Sequence, residues 1–354
     1  MTQENVVTMA DTALKTELST EDLVNDVLAT IEREREREIV ARRFGLFDRK
    51  ETLEQIGEML GITRERVRQL EKSVVTRLKT SAEQGAVPHV QAFQTKLIEH
   101  LESMGGVARI IDITAKIVSD PSRIEQARAA FLAQLSPAVL VINEDDYFYH
   151  SVATLAEGND KAVKADVAKL IDTIKKLGEP KPIGEIATAA GFTDPIRSAA
   201  LASISKQLAT LNGRWGLMKW PMVNPKNIRD KIYVILKEHG KHLHFNEIAE
   251  AIKDSDFKRK DVTTQAIHNE LIKDKRFVLI GRGIYALKEW GYEKGTVADI
   301  ISEVLRKAGE PLHRDEIVKR VLQSRYVKET TILLNLQGKP QFKRVAKATY
   351  DLVK

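Results

Sequence analysis

Apolar residues recur at intervals of three and four along much of the chain, which predicts a series of amphipathic helices. Residues 21–43 contain helix-forming residues throughout, but the central IEREREREIV alternates in charge and has no apolar face for seven residues. We expect a solvated helix held by ion pairs three and four residues apart, which ends at Gly45. Residues 1–32 are predicted to be an acidic N-terminal lead.

A short helix, a glycine and a second helix follow. Thr52 and Gln55 can form a capping box that begins the first helix, and Gly61 ends it. The predicted apolar stripe of this helix comprises Leu53, Ile56, Met59 and Leu60. Because Thr63 can cap the second helix directly after the glycine, the segment is a predicted helix-turn-helix.

The second helix divides into an apolar and a polar face. Residues at helical spacing that should point inward are Val67, Leu70, Val74 and Leu78. The opposite side carries Arg64, Glu65, Arg68 and Gln69, and Lys72 continues the arginine line. In a major groove, Arg can bond guanine, Gln can bond adenine and Glu can accept from cytosine. The face therefore has the chemistry of a DNA-reading helix, although an ordinary charged helix surface carries the same residue types.

The rest of the chain contains a repeat with a period of about sixty to seventy residues. Each copy has an amphipathic helix, a glycine, and an acidic residue followed by isoleucine seven and eight positions later. The four sets are Gly105 with Asp112 and Ile113, Gly178 with Glu185 and Ile186, Gly240 with Glu247 and Ile248, and Gly309 with Glu316 and Ile317. This spacing predicts a helix, a tight turn, a short extended segment and a second helix.

Each copy closes on two apolar strands around a small or polar turn, which indicates a hairpin. The strand pairs, at 139–152, 208–220, 277–290 and 342–354, include the aromatic residues Tyr147, Trp215, Tyr285 and Tyr350. We predict a mainly α fold of tandem helix-turn-helix units, in which a first unit at 33–79 precedes about four winged-helix repeats with short β-hairpin wings. The predicted repeats span 88–153, 163–221, 226–292 and 294–354, and we interpret 80–88, 154–162 and 221–227 as linkers.

The amino-acid composition excludes several kinds of functional site. The 354 residues include no cysteine, which excludes disulfides and thiolate metal sites, and no apolar run long enough for a membrane span. The polar N terminus does not resemble a signal peptide, so we expect a cytoplasmic, nucleoid-associated protein. Catalytic arrangements and phosphate-binding glycine loops are not recognisable, and no cysteine or paired carboxylate accompanies His239, His242 and His244. We expect no enzyme activity, metal, cofactor or small-molecule ligand.

Charge is distributed in alternating acidic and basic blocks. The net charge of the whole chain is +6, and residues 226–354 alone carry 27 basic and 18 acidic side chains. Such a basic excess favours a polyanionic partner, although solvated surfaces can carry it too.

The sequence from 35 to 79, REREIVARRFGLFDRKETLEQIGEMLGITRERVRQLEKSVVTRLK, resembles region 4 of the primary bacterial sigma-factor family. TRERVRQLE is similar to the family's recognition-helix signature, and RFGL and TLEQIG to earlier landmarks. The resemblance implies binding to the upstream (minus-thirty-five) element of promoter double-stranded DNA, and docking of RNA polymerase core through its β flap. It implies that Arg64, Glu65, Arg68 and Gln69 face bases, while Arg66 and Lys72 serve phosphates or polymerase. No counterpart of region 2 is recognisable, so we do not expect a complete initiation factor.

Residues 228–292 resemble the HARE-type winged helix-turn-helix on the segments FNEIAEAI and DKRFVLIGRGIYALKEW. That module occurs in the delta subunit of bacterial RNA polymerase, in restriction-enzyme accessory regions and in eukaryotic chromatin proteins. Basic residues placed for phosphate contacts are Lys258, Arg259 and Lys260 before a helix, and Lys273, Lys275, Arg276 and Arg282 around the wing. Docking on polymerase is an equal alternative for this unit.

The leading interpretation is a sigma-factor-like, DNA-binding transcription factor that acts in initiation through promoter DNA, RNA polymerase or both. One alternative is a delta-like polymerase adaptor that competes with sigma without specific DNA reading. Another is a DNA-recognition accessory subunit of a restriction-type system, which would need a partner nuclease because no nuclease motif is recognisable.

Overall fold

The computed structural model describes residues 19–292 and 295–353. Within that part of the chain the protein is 58% helical, with 16 α-helices and small antiparallel sheets, consistent with helix-turn-helix-type units. The chain divides into two compact units. The first runs to Ala209 and includes Gly213–Leu217, and the second comprises Thr210–Asn212 and the residues from Met218 onward.

Over the described residues, the first part of the first compact unit contains these helices and strands: α1 (Thr20–Ala29), α2 (Glu34–Phe44), α3 (Leu53–Leu60), α4 (Arg64–Glu83), α5 (Pro88–Ser103), β1 (Val107–Arg109), α6 (Ile110–Ile117), α7 (Arg123–Leu135), β2 (Val139–Ile142) and β3 (Ser151–Thr154). A similar series follows: α8 (Asp160–Leu177), β4 (Lys181–Pro182), α9 (Ile183–Ala190), α10 (Pro195–Ser203), β5 (Leu208–Leu211) and β6 (Arg214–Leu217).

The second compact unit repeats that order of elements. Its first series is α11 (Ile228–His239), β7 (Leu243–His244), α12 (Phe245–Asp254), α13 (Thr264–Lys273), β8 (Phe277–Gly281) and β9 (Ile284–Leu287). Its second series is α14 (Val297–Ala308), β10 (Leu312–His313), α15 (Arg314–Ser324), α16 (Glu329–Gly338), β11 (Phe342–Ala346) and β12 (Thr349–Leu352).

The strands of the described residues form three-stranded sheets with the orders β1-β3-β2, β4-β6-β5, β7-β9-β8 and β10-β12-β11. In each, the short strand before a helix pairs with the second strand of the hairpin. Three predicted aromatics occupy that second strand, where Lys181 pairs with Trp215, Leu243 with Tyr285, and Leu312 with Tyr350. Tyr147 differs from these three because it lies in the loop before β3, and its surface is 58% exposed.

The structure that the glycine-to-isoleucine spacing predicts, a helix, a turn and a second helix, is confirmed. Gly178, Gly240 and Gly309 end α8, α11 and α14 in the left-handed conformation that favours glycine. The isoleucines of the next helices, Ile113, Ile186, Ile248 and Ile317, are all fully buried. Each copy of the repeat therefore corresponds to a helix, a turn and a second helix that buries one isoleucine.

The prediction of one solvated helix over 21–43 was wrong, because the segment forms two packed helices. Leu23, Val24, Val27 and Leu28 of α1 are buried in a core that α1 shares with α4 to α7. The next helix, α2, packs on α3, α4 and α7. Its Val40 lies in the same core as α1, while its Ile39 lies in a second core with Ile56 and Val67. Residues 30–33 separate the two helices, and Ile31 is also buried.

The charged centre of that segment is not solvated throughout. The Glu36 side chain is only 6% exposed and pairs with Arg33 and Arg77. The interpretation of 80–88 as a linker was also wrong in its first half, because α4 continues to Glu83. Ala82 and Val87 are buried in the shared core, so α4 is joined firmly to the helices that follow.

Candidate nucleic-acid interface

The helix-turn-helix formed by α3 and α4 begins and ends as the sequence predicts. The Thr52 hydroxyl accepts a hydrogen bond from the Gln55 amide over 3.3 Å, and the Gln55 side chain accepts one from the Thr52 amide over 2.9 Å. Gly61 ends α3 at φ +63°. The Thr63 hydroxyl accepts from the Arg66 amide over 3.2 Å, so the direction in which α4 leaves the turn is fixed by its cap.

Close approach in the turn depends on a glycine that the sequence analysis did not identify. A Cβ atom at Gly57 would lie 2.7 Å from the carbonyl oxygen of Ile62, closer than such atoms approach. A larger residue would therefore push α3 away from the start of α4. A glycine inside an otherwise helical pattern was the available signal.

The core of the helix-turn-helix consists of Ile39, Ile56 and Val67, all fully buried. The inward positions predicted for α4 are confirmed for Val74 and Leu78, which join the larger core, and Leu70 is half-buried. Met59 was wrongly assigned to the stripe of α3, since it is 43% exposed. Ile56 and Gly57 lie at the centre of the inward face of α3. Because an α-helix turns by about 100° per residue, Met59 lies well to one side of that face.

The predicted DNA-facing residues of α4 are brought together on its exposed side. The Arg68 guanidinium donates from Nε to Glu65 Oε2 over 2.8 Å and from Nη2 to Oε1 over 2.7 Å. Arg64 pairs with Glu54 of α3 at 2.8 Å. Arg66 donates to the Gln69 side chain over 3.3 Å, and Lys72 is exposed one turn further on.

The hydrogen bonds between Arg68 and Glu65 stabilise the charged forms of both side chains. The hydrogen bond from Arg68, followed by its charge, lowers the pKa of Glu65, and the same bond raises the pKa of Arg68. Exposed ion pairs contribute little to stability because water screens them. A polyanion that offers better partners can therefore replace them without unfolding α4.

Other basic residues of 33–79 have structural roles instead. Arg42 pairs with Glu38 and Glu51, and Arg43 pairs with Glu71 of α4. The hydrogen bonds that Arg42 donates to Glu51 and to Glu38 raise the pKa of Arg42. These arginines fasten α2 to the turn before α3 and to α4, so the basic excess of this segment is only partly available to a ligand.

The second predicted cluster lies in the loop before α13. Lys258, Arg259 and Lys260 are all exposed. The buried Lys231 ammonium donates to the Lys258 and Arg259 carbonyl oxygens over 2.8 and 2.6 Å. Arg259 holds the left-handed conformation at φ +54°, which is uncommon for a residue with a side chain. The loop is thus held from inside while its cationic side chains face solvent.

The basic residues around the following hairpin separate into two groups. Arg282 is exposed in the turn between β8 and β9, and Lys273 and Lys275 are exposed before β8. Arg276 was wrongly grouped with them, because it pairs with Asp274 at 2.8 Å and with Asp230 at 3.2 Å. Those carboxylates hold it against α11, where its guanidinium lies over the Tyr233 ring.

The histidines near the start of α12 have local partners. The His239 ring contacts the Ile235 carbonyl oxygen at 2.9 Å, and His244 caps α12. The centroid of the His242 ring lies 4.5 Å from that of Tyr326, with the two rings tilted by 46°. Among the described residues, no group of three metal-ligating side chains comes together. Over the same residues, no helix is long and apolar enough to cross a membrane.

Comparison with known proteins finds similarity to a protein family in one segment of the chain. Residues 33–80 match the family model described as sigma-70, region 4. The sigma factor sigB of Arabidopsis thaliana is 49% identical over 59 residues, which cover 16% of this chain and 10% of the relative. RpoD of Helicobacter pylori is 38% identical over 79 residues (22% and 11%), and SigA of a Bacillus species is 44% identical over 77 residues (22% and 20%).

The chain thus spans at most about a fifth of the length of these curated relatives. Over this small part, the matches support a DNA-binding transcription factor, and sigma region 4 is a non-catalytic domain. The capped turn, the close approach at Gly57 and the polar face of α4 all lie within the matched residues. Residues 33–80 are a sigma-70 region 4 domain.

Proposed function

We propose that this protein is a sigma-factor-like transcription factor that reads promoter-type duplex DNA with the first two turns of α4. One observation carries the proposal: Arg64, Glu65, Arg68 and Gln69 lie together on the exposed side of a helix whose other side is buried. Their donors and acceptors complement guanine, cytosine and adenine edges in the major groove. The capped turn presents the N-terminal end of α4 to solvent, the end that such helices place against bases.

The neighbouring cations have a different role in this proposal. Arg66 and Lys72 are exposed beside the base-facing residues, and we assign them to phosphates or to polymerase. Phosphate contacts fix the register of a helix on the duplex but do not read sequence. Substitution of a base-facing residue should therefore lower DNA affinity by an amount that depends on the DNA sequence. Substitution of a phosphate-facing residue should lower it to a similar extent on every sequence.

RNA polymerase core is the second proposed partner, through the flap of its β subunit. The relatives that this chain matches over 59 to 79 residues are named RNA polymerase sigma factors, which supports this partner. Purification of the tagged full chain from its host after nuclease treatment tests it. Co-elution of core subunits without DNA supports docking, and recovery of the bait alone contradicts it.

The elements after α4 support a proposal of four winged-helix units, the third of the HARE type. Each has two helices around a short strand, a third helix and a hairpin that closes a three-stranded sheet. In the third unit, we propose phosphate contacts by the cationic loop Lys258, Arg259 and Lys260, and by Arg282 in the hairpin turn.

Selection of duplexes from a random library by the full chain tests DNA reading. We expect an enriched sequence, on which Arg68→Ala loses affinity and sequence preference at one base pair. If the full chain enriches no sequence but captures core polymerase, the adaptor alternative replaces the reading function.

A further inference from the structure

The last helix before each hairpin, α7, α10, α13 or α16, is the one that a winged unit would present to a ligand. In the first compact unit the protein itself covers part of these helices. The Arg128 side chain of α7 is 7% exposed, donates to the Leu46 carbonyl oxygen over 2.9 Å and pairs with Glu21 of α1. Phe131 is fully buried, with its ring 4.9 Å from that of Phe44. The central part of α7 is therefore committed to packing against the region 4 domain and α1.

α10 is partly covered as well. A Cβ atom at Gly105 would lie 2.9 Å from the backbone of Arg197, so the loop before β1 lies directly against the first turn of α10. Arg197 pairs with Glu157 and Asp166 at 2.7 and 2.6 Å. Just beyond the helix, Ser205 forms a β-bridge with Phe148. These contacts fasten one side of α10 to the preceding loop and sheet, while Ile196 in its first turn stays exposed.

α13 of the second compact unit differs in what it exposes. Ile267 and Leu271 face the core, while Gln265, Asn269, Ile272 and Lys273 form an exposed stripe. The Gln265 side-chain amide donates to Asn269 Oδ1 over 3.1 Å, so the two amides are already aligned side by side. Ile272 is 61% exposed although it is a large aliphatic residue.

We propose that α13 is a second duplex-reading helix, in which Gln265 and Asn269 bond an adenine in the major groove and Ile272 contacts a thymine methyl group. Side-chain amides are the groups that match the N6 and N7 edge of adenine, and an aliphatic side chain matches the adjacent methyl. The stripe therefore complements A·T base pairs in both its polar and its apolar parts.

Charge supports a nucleic-acid occupant for this face. The cationic loop Lys258, Arg259 and Lys260 precedes the N-terminal end of α13, and Lys273 lies at the other end. The carboxylates beside the stripe are Asp261, in the loop, and Glu270, which is half-buried. By contrast, α16 contains no basic residue and begins at Glu329, although Lys328 precedes it and Lys339 follows it.

The inference rests on the proposed function only for the phosphate contacts of the cationic loop. Its test measures base reading by α13 separately from base reading by α4. The full chain carrying Arg68→Ala is used to select duplexes, so that enrichment no longer depends on that arginine. We expect a short enriched sequence containing A·T pairs. Adding Asn269→Ala should lower affinity for that sequence about 10- to 100-fold and change binding to a scrambled duplex little.

Two further variants complete the test. Lys258→Ala in the same background should weaken both duplexes equally and reduce the salt slope by about 0.9. Gln323→Ala, which removes an exposed amide from α15, should change neither. The inference is overturned if Asn269→Ala binds the selected duplex as tightly as its parent, if it weakens both duplexes equally, or if no sequence is enriched. A failure of α4 reading appears instead in the comparison of Arg68→Ala with the unmodified chain.

Discussion

Arg68 and Glu65 hold each other at the centre of the exposed face of α4 through two hydrogen bonds of 2.8 and 2.7 Å. Both residues are proposed to face bases, so DNA that takes Arg68 must also release Glu65. The released carboxylate then needs a donor, and the cytosine amino group is the base donor that a carboxylate accepts from in the major groove. A guanine for Arg68 beside a cytosine for Glu65 would satisfy both groups, so we expect the two positions of the target to be coupled.

The first prediction concerns the titration of Glu65. Its pKa is lowered from the ordinary value of 4.5, chiefly by the hydrogen bond from Arg68. A lowered pKa in the folded state means that the pair is fully formed above the ordinary value and is lost as pH falls through the lowered value. The Glu65 carboxyl should therefore titrate below 4.5 by NMR and move upward in Arg68→Ala. An unchanged midpoint in that variant would show that the pair does not form in solution.

The second prediction concerns the turn of the helix-turn-helix. Gly57→Ala should destabilise the protein by about 1–3 kcal/mol, because the new methyl group overlaps the Ile62 carbonyl oxygen. Gly184→Ala is the matched control, since it adds a methyl group to α9 where no atom lies within 4 Å. That change should be neutral or stabilise by about 0.5–1 kcal/mol. Denaturant unfolding measures both, and equal effects would contradict the close approach at Gly57.

The third prediction concerns the attachment of α7 to the region 4 domain. Arg128→Ala should lower the free energy of unfolding by about 3 kcal/mol, because it removes a buried ion pair and leaves the Leu46 carbonyl oxygen without its donor. Arg123→Ala, at an exposed site in the same helix, is the control and should change it little. If the two variants unfold at the same denaturant concentration, Arg128 does not fasten these elements.

The fourth prediction separates phosphate contacts from base contacts. Lys72→Ala should weaken binding to selected and scrambled duplexes to a similar extent, since a phosphate contact carries no sequence information. The slope of log affinity against log salt should fall by about 0.9, the value for one phosphate contact. A titration of both duplexes over a range of salt concentrations measures this. If Lys72→Ala loses affinity only for the selected duplex, Lys72 contacts a base and not a phosphate.

The sequence predicted the local features of the region 4 domain because they depend on neighbouring residues. The cap at Thr52, the end of α3 at Gly61 and the inward side of α4 follow from side chains within one or two turns. The polar face of α4 was predicted for the same reason, since a buried Val67 fixes where Arg64 and Arg68 must point. Whether that face reads bases stays a prediction.

Features that depend on contacts between distant segments could not be predicted. Val24 and Val40 enter one core and Ile39 enters another, and the alternating charges around Glu36 give no sign of either core. Likewise, no local pattern shows that Arg128 binds the carbonyl oxygen of Leu46, 82 residues away. The covered positions of α7 and α10 are consequences of such packing.

One comparison tests whether α4 reads DNA bases. Binding of the full chain and of Arg68→Ala is measured on the selected duplex and on duplexes with each single base pair changed. We expect Arg68→Ala to lose about 10- to 100-fold in affinity for the selected duplex and to discriminate no longer at one base pair. An equal loss on every duplex, or no loss at all, would contradict base reading by α4.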